Sequence, residues 1–121
     1  MTAIEDDFGP EARFRAFLRD GKPSVQRCPS CGATQFYPSV VCRSCGATAL
    51  AWREISGNGS IYAFTEVSGD APFTVALIDL DEGTRVLSSV AGSEARSIGT
   101  RVRARIEERN GIPILVFDVA R

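Results

Sequence analysis

The 121-residue chain contains no histidine. This absence excludes the serine–histidine–aspartate and cysteine–histidine forms of nucleophilic catalysis, and with them any metal site with imidazole ligands. The reacting groups that remain are carboxylates, hydroxyls, two tyrosines and four cysteines. All four cysteines fall between residues 28 and 45, so no cysteine elsewhere in the chain can serve as a free nucleophile.

Long apolar runs and an excess of basic residues are also missing. No stretch approaches the roughly 20 apolar residues that a membrane-spanning helix needs, and the acidic start MTAIEDD lacks the basic and apolar regions of a secretory signal. We therefore expect a cytoplasmic protein. With 14 basic and 15 acidic side chains the formal net charge is −1, which gives no general attraction for nucleic acids. The hydrophobic content of 44% is typical of a globular chain.

The cysteines form two copies of a C-x-x-C-G pattern, Cys28-Pro-Ser-Cys31-Gly and Cys42-Arg-Ser-Cys45-Gly, separated by ten residues. Each copy places two sulfurs on one tight turn, and its glycine tolerates the positive φ that lets backbone N–H groups point at the sulfurs. We predict a closed tetrahedral site of these four cysteines that holds zinc. The metal is expected to be structural, because four protein ligands leave no position open for water or substrate.

Other interpretations of the cysteines stay open. Iron accepts the same four sulfur ligands and would make the protein a rubredoxin-like electron carrier. The C-x-x-C pairs are also compatible with two disulfides or with thiol exchange, although such pairs in cytosolic chains are normally metal or redox sites. The ten residues between the knuckles suffice for one strand out and one strand back, with a turn at Tyr37-Pro38-Ser39.

Residues 10–20, PEARFRAFLRD, are predicted to form a helix. Pro10 suits the first helical turn and Gly21 can end the helix. One face of this helix carries the apolar side chains Phe14, Phe17 and Leu18. Because a helix of this length is marginal in isolation, its apolar face packs either against the rest of the chain or against a partner.

From Ala51 onward, apolar residues recur with a period of two, and Gly, Asp, Ser and Asn separate the segments. The predicted strands are 51–56, 59–68, 73–80, 84–91, 101–108 and 112–119. A turn is expected at Asp81-Glu82-Gly83, a hairpin at Arg109-Asn110-Gly111 and a longer connection around 92–100. Five long strands with such a connection fit a closed Greek-key barrel of the OB type.

The expected protein is therefore mainly β. We divide it into an N-terminal helical segment at 1–26, a rubredoxin-like zinc ribbon with four cysteines at 27–50, and a five-stranded OB-fold barrel at 51–121.

Two features of the predicted barrel concern binding. The strand RVRARIEE alternates apolar residues with three arginines, Arg101, Arg103 and Arg105. These arginines form either a solvated row paired with carboxylates such as Glu107, or a row that binds phosphates, which guanidinium groups recognise well. Tyr62 and Phe64 are expected to share a strand face, either as ordinary core or surface aromatics or as a stacking platform for bases.

Together these segments resemble the family known as domain of unknown function 35, whose members accompany acyl-CoA and thiolase-type enzymes. The resemblance extends from residue 10 to residue 119. The matching pieces are FRAFLRDGKPSVQRCPSCG, FYPSVVCRSCG, LAWREISGNGSIYAFTEV, VALIDLDEGTRVLSSVAG and IGTRVRARIEERNGIPILVFDV. The sequence departs from the family pattern at Ser39, where an arginine often follows the proline, and at Arg43, where a proline often follows the third cysteine.

The resemblance implies a non-catalytic accessory subunit of a thiolase-fold enzyme, which is a thiolase, an acyltransferase or a steroid side-chain aldolase. Such a subunit supports assembly of the partner and closes or lines a channel for an acyl-CoA thioester in lipid or steroid metabolism. The expected partner contacts are the helix face, through Phe14, Phe17 and Leu18, the ribbon tip, which we define as Phe36 to Val40 and which contributes Phe36, Tyr37 and Pro38, or both. The alternative function is an OB-fold protein that binds single-stranded nucleic acid, which the acidic isoelectric point opposes.

Overall fold

A computed structural model describes residues 9–92 and 97–120 of the chain. Within these residues the chain forms one helix and eight strands. They are α1 (Pro10–Arg19), β1 (Ser24–Arg27), β2 (Thr34–Gln35), β3 (Ala51–Glu54), β4 (Asn58–Val67), β5 (Phe73–Leu80), β6 (Arg85–Ala91), β7 (Arg101–Arg109) and β8 (Ile112–Val119). The fold is mainly β, as predicted.

The helix α1 begins at Pro10, which suits the first position because proline has no N–H to leave unpaired. Gly21 follows its end with a φ of 75°, and the Gly21 N–H donates to the carbonyl of Leu18 at 3.0 Å. Phe14 and Leu18 are the buried side chains of α1, which lies against β8 and β1. The structure contains, in the ranges that it describes, no helix long and apolar enough to cross a membrane.

The first sheet has three antiparallel strands in the order β2-β1-β3. Gln26 of β1 lies opposite Gln35 of β2 on one side and Trp52 of β3 on the other. The segment expected as a strand at 51–56 thus pairs with β1, next to the cysteines, and not with the barrel. The predicted return strand between the knuckles is wrong, since residues 36–50, all of which the structure describes, contain no strand.

The second sheet closes into a barrel in the order β4-β5-β6-β8-β7, and β7 pairs with β4. Neighbouring strands are antiparallel except β6 and β8, which are parallel. This order confirms the predicted OB-type Greek-key barrel. The connection expected around 92–100 leads from β6 to β7, which are not neighbours in the barrel, and its residues 93–96 lie outside the described residues.

The barrel core consists of aliphatic side chains around one aromatic ring. Its most deeply buried members include Ile61, Ile78, Val86, Val102 and Phe117. The strands β4 and β5 approach closely at Gly59, where an added Cβ would lie 2.7 Å from the backbone oxygen of Asp79. Only glycine fits at this position without displacing backbone.

Candidate metal centre

The four cysteines come together in one cluster, with all their Sγ atoms within 4.8 Å of one another. The Sγ atoms of Cys28 and Cys45 are 3.6 Å apart, and those of Cys31 and Cys42 are 3.7 Å apart. Zinc–sulfur bonds of about 2.3 Å imply sulfur separations of roughly 3.8 Å in a tetrahedron. The cluster therefore fits four ligands of a single ion. The cysteines are free thiols, with sulfurs well beyond the ~2.05 Å of a disulfide bond.

The two knuckles share the sequence C-x-S-C-G-A-T and fold in the same way. The N–H of Gly32 donates to the carbonyl of Cys28 at 2.7 Å, and the N–H of Gly46 donates to the carbonyl of Cys42 at 2.8 Å. Both glycines have the predicted positive φ, 78° for Gly32 and 82° for Gly46. Residues that carry a side chain rarely adopt such a backbone conformation. The repeated turn accounts for the near-equal sulfur separations across the cluster.

Backbone N–H groups favour ionised sulfur at the two buried cysteines. The N–H of Cys31 lowers the pKa of Cys28, and the N–H of Cys45 lowers the pKa of Cys42 to about 7. At Cys45 the N–H of Ala47 also favours the thiolate, but hydrogen bonds with neighbouring sulfurs, led by Cys28, raise its pKa to about 11. Four thiolates so close together repel one another, and this donor set suits a divalent cation that offsets the repulsion.

The predicted arginine row lies on β7, where two of its members bind carboxylates. To carboxylate oxygens, Arg101 donates two hydrogen bonds, of 2.9 and 2.8 Å, and Arg105 donates two, of 2.7 and 2.9 Å. Their partners are Asp81 for Arg101, and Asp118 and Glu107 for Arg105. The guanidinium of Arg103 has no hydrogen-bond or ion-pair partner among residues 9–92 and 97–120.

The two aromatic residues of β4 lie in different environments. A register shift between Ile61 and Ala63 interrupts the alternation of the strand around Tyr62. Tyr62 is 47% exposed, and the guanidinium carbon of Arg85 lies 3.5 Å from the centre of its ring. Phe64 instead packs against the barrel core. The structure therefore does not bring these two rings together on one exposed face.

The helix residues predicted to bind a partner contact the protein's own strands and loops. Phe14 is 7% exposed and Leu18 is 1% exposed. Phe17 is partly buried, with its ring centre 5.3 Å from that of Trp52 in β3. In the isolated chain this helix face stabilises the fold.

The ribbon tip is more accessible. Phe36 and Pro38 are partly buried, whereas Tyr37 is 44% and Val40 is 68% exposed. The Tyr37 hydroxyl donates a hydrogen bond to the carboxylate of Glu11 in α1. Burial, together with this bond, raises the pKa of Tyr37 to about 12. Tyr37 thus joins the tip to the helix, while Val40 faces solvent.

An apolar cleft of about 280 Å³ lies where α1, the ribbon tip and the barrel meet. Its apolar lining residues include Phe14, Phe36, Tyr37, Leu87, Ile112 and Leu115. Leu87 and Ile112 are large apolar side chains that remain about half exposed at its rim. Apolar surface of this kind is typical of contact sites.

Sequence reasoning missed two residues next to the knuckles, Gln26 and Gln35. Gln26 is only 3% exposed, and it follows two other buried residues in β1, Ser24 and Val25. Three successive buried positions do not show the alternation that marks a half-buried strand. A glutamine alone carries no signal of burial, and the strand register that pairs Gln26 with Gln35 is not readable from the sequence.

The fold and the site define a protein of two modules, a four-cysteine metal ribbon joined to an OB-type barrel. The sequence matches the rubredoxin-like zinc ribbon domain of ChsH2 over residues 16–51 and the C-terminal OB-fold domain of ChsH2 over residues 52–107. It is 30% identical over 104 residues to a DUF35 domain-containing scaffold protein of Methanocaldococcus jannaschii, covering 75% of this chain and 74% of that protein. The chain belongs to the DUF35 family.

Two further comparisons extend this result. The chain is 30% identical over 74 residues to a probable enoyl-CoA hydratase alpha subunit of Thermomonospora curvata, covering 56% of this chain but only 23% of that protein. Its structure is similar to that of the Ltp2–ChsH2(DUF35) aldolase, with a TM-score of 0.81 and 25% identity, over 93% of this chain and 95% of that one.

We predict that the protein binds one equivalent of divalent metal and that Cys31→Ala weakens binding by more than about 100-fold, since three sulfurs leave the site incomplete. The ribbon should then lose its structure, while the barrel keeps its own core. Trp52, the single tryptophan, lies in the ribbon sheet, so its fluorescence reports on the ribbon. Metal content and tryptophan emission are to be measured beside Ser30→Ala, a control in the same knuckle. Full metal content and unchanged emission in Cys31→Ala would contradict the assignment.

Proposed function

We propose that this chain is a non-catalytic accessory subunit that acts in the cytoplasm. Its partner is a thiolase-fold enzyme that handles acyl-CoA thioesters, in the class of thiolases, acyltransferases and retro-aldolases. The observation that carries the proposal is the likeness of nearly the whole chain to the Ltp2–ChsH2(DUF35) aldolase. The description of a relative as a scaffold protein agrees with it.

The chemistry of the chain supports a role without catalysis. The sequence has no histidine, and its four thiols all belong to the metal cluster. Thiolase chemistry needs an activated thiolate that is free to attack a thioester, which a metal-bound cysteine is not. The pKa of Asp81 is lowered by its hydrogen bonds from Arg101. This cause is structural, so the shift does not indicate a catalytic carboxylate.

We place the partner contact at the ribbon tip and the rim of the apolar cleft. Of the residues expected from the sequence, Tyr37 is about half exposed, and Phe36 and Pro38 surround it at the tip. Val40 extends this surface and is more exposed than any of them. Phe14, Phe17 and Leu18 act behind this surface, because they fix the helix to which the tip is bound.

We assign zinc to the four cysteines. A closed site with four sulfur ligands suits zinc, which has no redox chemistry and accepts tetrahedral geometry without strain. An accessory subunit needs the ion only to hold the ribbon, so an electron-transferring metal has no task here. The match to a zinc ribbon domain supports the same choice.

Arg103 is the member of the arginine row that we propose as a contact for a phosphate of coenzyme A. Its neighbours Arg101 and Arg105 already bind carboxylates at the surface. An arginine whose guanidinium is unpaired within the described residues keeps its donors for an incoming anion.

Single-stranded nucleic-acid binding is the less favoured function. Tyr62 and Phe64 do not form a common stacking face, and Arg101 and Arg105 are neutralised by carboxylates. Proteins that bind single strands use an aromatic platform and a basic groove. Tyr62 and Phe64 do not form the platform, and Arg101 and Arg105 do not form the groove.

We predict about one equivalent of zinc per chain in carefully purified protein, and a colourless solution, because zinc has a filled d shell. The protein is to be expressed with both zinc and iron supplied. Elemental analysis then measures the metal content, and an absorption spectrum measures the colour. Stoichiometric iron with visible absorption, or less than about half an equivalent of zinc, would overturn the choice of metal.

We predict that the purified chain alone cleaves no acyl-CoA thioester and that it forms a complex with the thiolase-fold subunit of its native host. Val40→Asp should weaken this complex by about tenfold or more, since an unpaired charge is costly to bury. Ile98→Asp is the matched control, because Ile98 is 71% exposed and lies in the segment just before β7, which is not part of the ribbon. Size-exclusion chromatography and calorimetry give the affinities.

Turnover by the chain after removal of all partner protein would defeat the accessory role. If Val40→Asp and Ile98→Asp weaken binding of the partner equally, the interface does not lie at the ribbon tip.

We predict that Arg103→Gln weakens binding of coenzyme A to the assembled complex about 3- to 10-fold at low salt, with a smaller effect as salt rises, because ions screen the attraction. Arg109→Gln is the control, since Arg109 is paired with Glu107 at 2.7 Å. Calorimetric titration at two salt concentrations makes the test. Equal affinity of Arg103→Gln and the parent for coenzyme A at low salt would mean that the arginines form a solvated row and do not bind phosphate.

A further inference from the structure

The loop that leads from β2 to the second knuckle is held by side chains instead of a strand ladder. Gln26 and Gln35 lie opposite each other in β1 and β2, so their side chains lie on the same face of the sheet. The side-chain nitrogen of Gln35 donates to the side-chain oxygen of Gln26 at 2.8 Å. We call these two residues the amide pair.

Gln26 binds one loop residue as a neighbouring strand would. Its Oε1 accepts a hydrogen bond from the N–H of Ser39 at 2.9 Å, and its Nε2 donates to the carbonyl of Ser39 at 2.8 Å. Because Gln26 is 3% exposed, these bonds have little competition from water. The side-chain amide thereby replaces a backbone peptide group.

Gln35 continues the same pattern along the loop. Its Nε2 also donates to the carbonyl of Val41 at 3.1 Å, and its Oε1 accepts from the N–H of Arg43 at 3.0 Å. The loop residues that the amide pair binds are Ser39, Val41 and Arg43, which recur at every second position as in a paired strand. The amide pair thus takes the place of the missing return strand.

The last of these bonds reaches into the metal site itself. Arg43 lies between Cys42 and Cys45 in the second knuckle, and the corresponding position of the first knuckle is Pro29. Proline has no N–H, so the first knuckle needs no acceptor at this point. In the second knuckle the Arg43 N–H needs one, and Gln35 supplies it.

We propose that Gln26 and Gln35 are positioning residues of the metal centre. They hold the second knuckle in register with the first, so that all four sulfurs are near their bound arrangement before the ion enters. The inference rests on the metal site of the proposed function. Residues that orient metal ligands typically change metal affinity by ~10- to 100-fold when replaced.

The experiment compares Gln26→Met and Gln35→Met with the parent, because methionine keeps the size of the side chain and removes its hydrogen bonds. Release of zinc to excess chelator should be about tenfold faster or more in each variant. Hydrogen exchange of the Ser39 N–H should accelerate in Gln26→Met, and that of the Arg43 N–H in Gln35→Met. Thermal unfolding of the barrel should be unchanged, which separates positioning from a general loss of stability.

Conservative variants sharpen the test. Gln35→Glu keeps an acceptor for the Arg43 N–H, so it should retain more protection at Arg43 than Gln35→Met does. Arg43→Pro removes the N–H and reproduces the first knuckle. In the Arg43→Pro variant, Gln35→Met should accelerate zinc release clearly less than it does in the parent. The hydrogen bond between the Arg43 N–H and Gln35 is already absent from that variant.

The proposal is overturned if the parent holds a full equivalent of zinc and both methionine variants release it at the parental rate with Ser39 and Arg43 still protected. An equal effect of Gln35→Met with and without Arg43→Pro would overturn the link to the second knuckle. A parent that binds no metal would instead refute the proposed metal site, so the two failures are distinguishable.

Discussion

The convergence of four cysteine sulfurs on one metal site is the constraint on which the rest of this structure depends. The ribbon sheet has strands of only four, two and four residues, far less than an independent sheet needs to be stable in water. Short chains without a sufficient core are commonly stabilised by a metal. Here the four-sulfur cluster joins two turns that are separated by β2 and a loop without regular structure, and it thereby fixes the ribbon tip.

From the ribbon the constraint extends to the helix and to the barrel. Phe36 packs edge-on against Phe14 of α1 at a centroid distance of 5.3 Å. The hydroxyl of Thr84, in the turn before β6, donates to that of Thr34 in β2. These contacts make the apolar cleft a product of three segments, so its shape depends on the metal site even though no cysteine lines it. The accessory role that we propose needs a preformed surface, and this rigidity supplies one.

The parts of the fold that sequence reasoning predicted are those with local signals. The knuckles follow from cysteine spacing and from Gly32 and Gly46, and the barrel strands follow from alternation and from turn residues such as Gly83. The pairing of β3 with β1 was missed because alternation of apolar residues indicates a strand but not the strand with which it pairs. The return strand was wrong because the hydrogen bonds of Ser39 are made by Gln26, a side chain distant in sequence.

The binding residues were harder to predict, for reasons that are also physical. An alternating arginine row looks the same whether its partners are phosphates or the protein's own carboxylates. The register of β7 with β8 places Asp118 opposite Arg103, and the carboxylate of Asp118 binds Arg105, two residues further along β7. A single register shift in β4 separates Tyr62 from Phe64. Burial of Leu18 likewise depends on how α1 lies against β8 and β1.

X-ray absorption at the zinc edge tests the central claim most directly, since it measures the ligands of the ion in the folded protein. We predict four sulfur neighbours at about 2.3 Å and no oxygen or nitrogen in the inner shell. Fewer than four sulfurs, or a light-atom ligand at roughly 2.0 Å, would mean an open site and would contradict a purely structural metal centre.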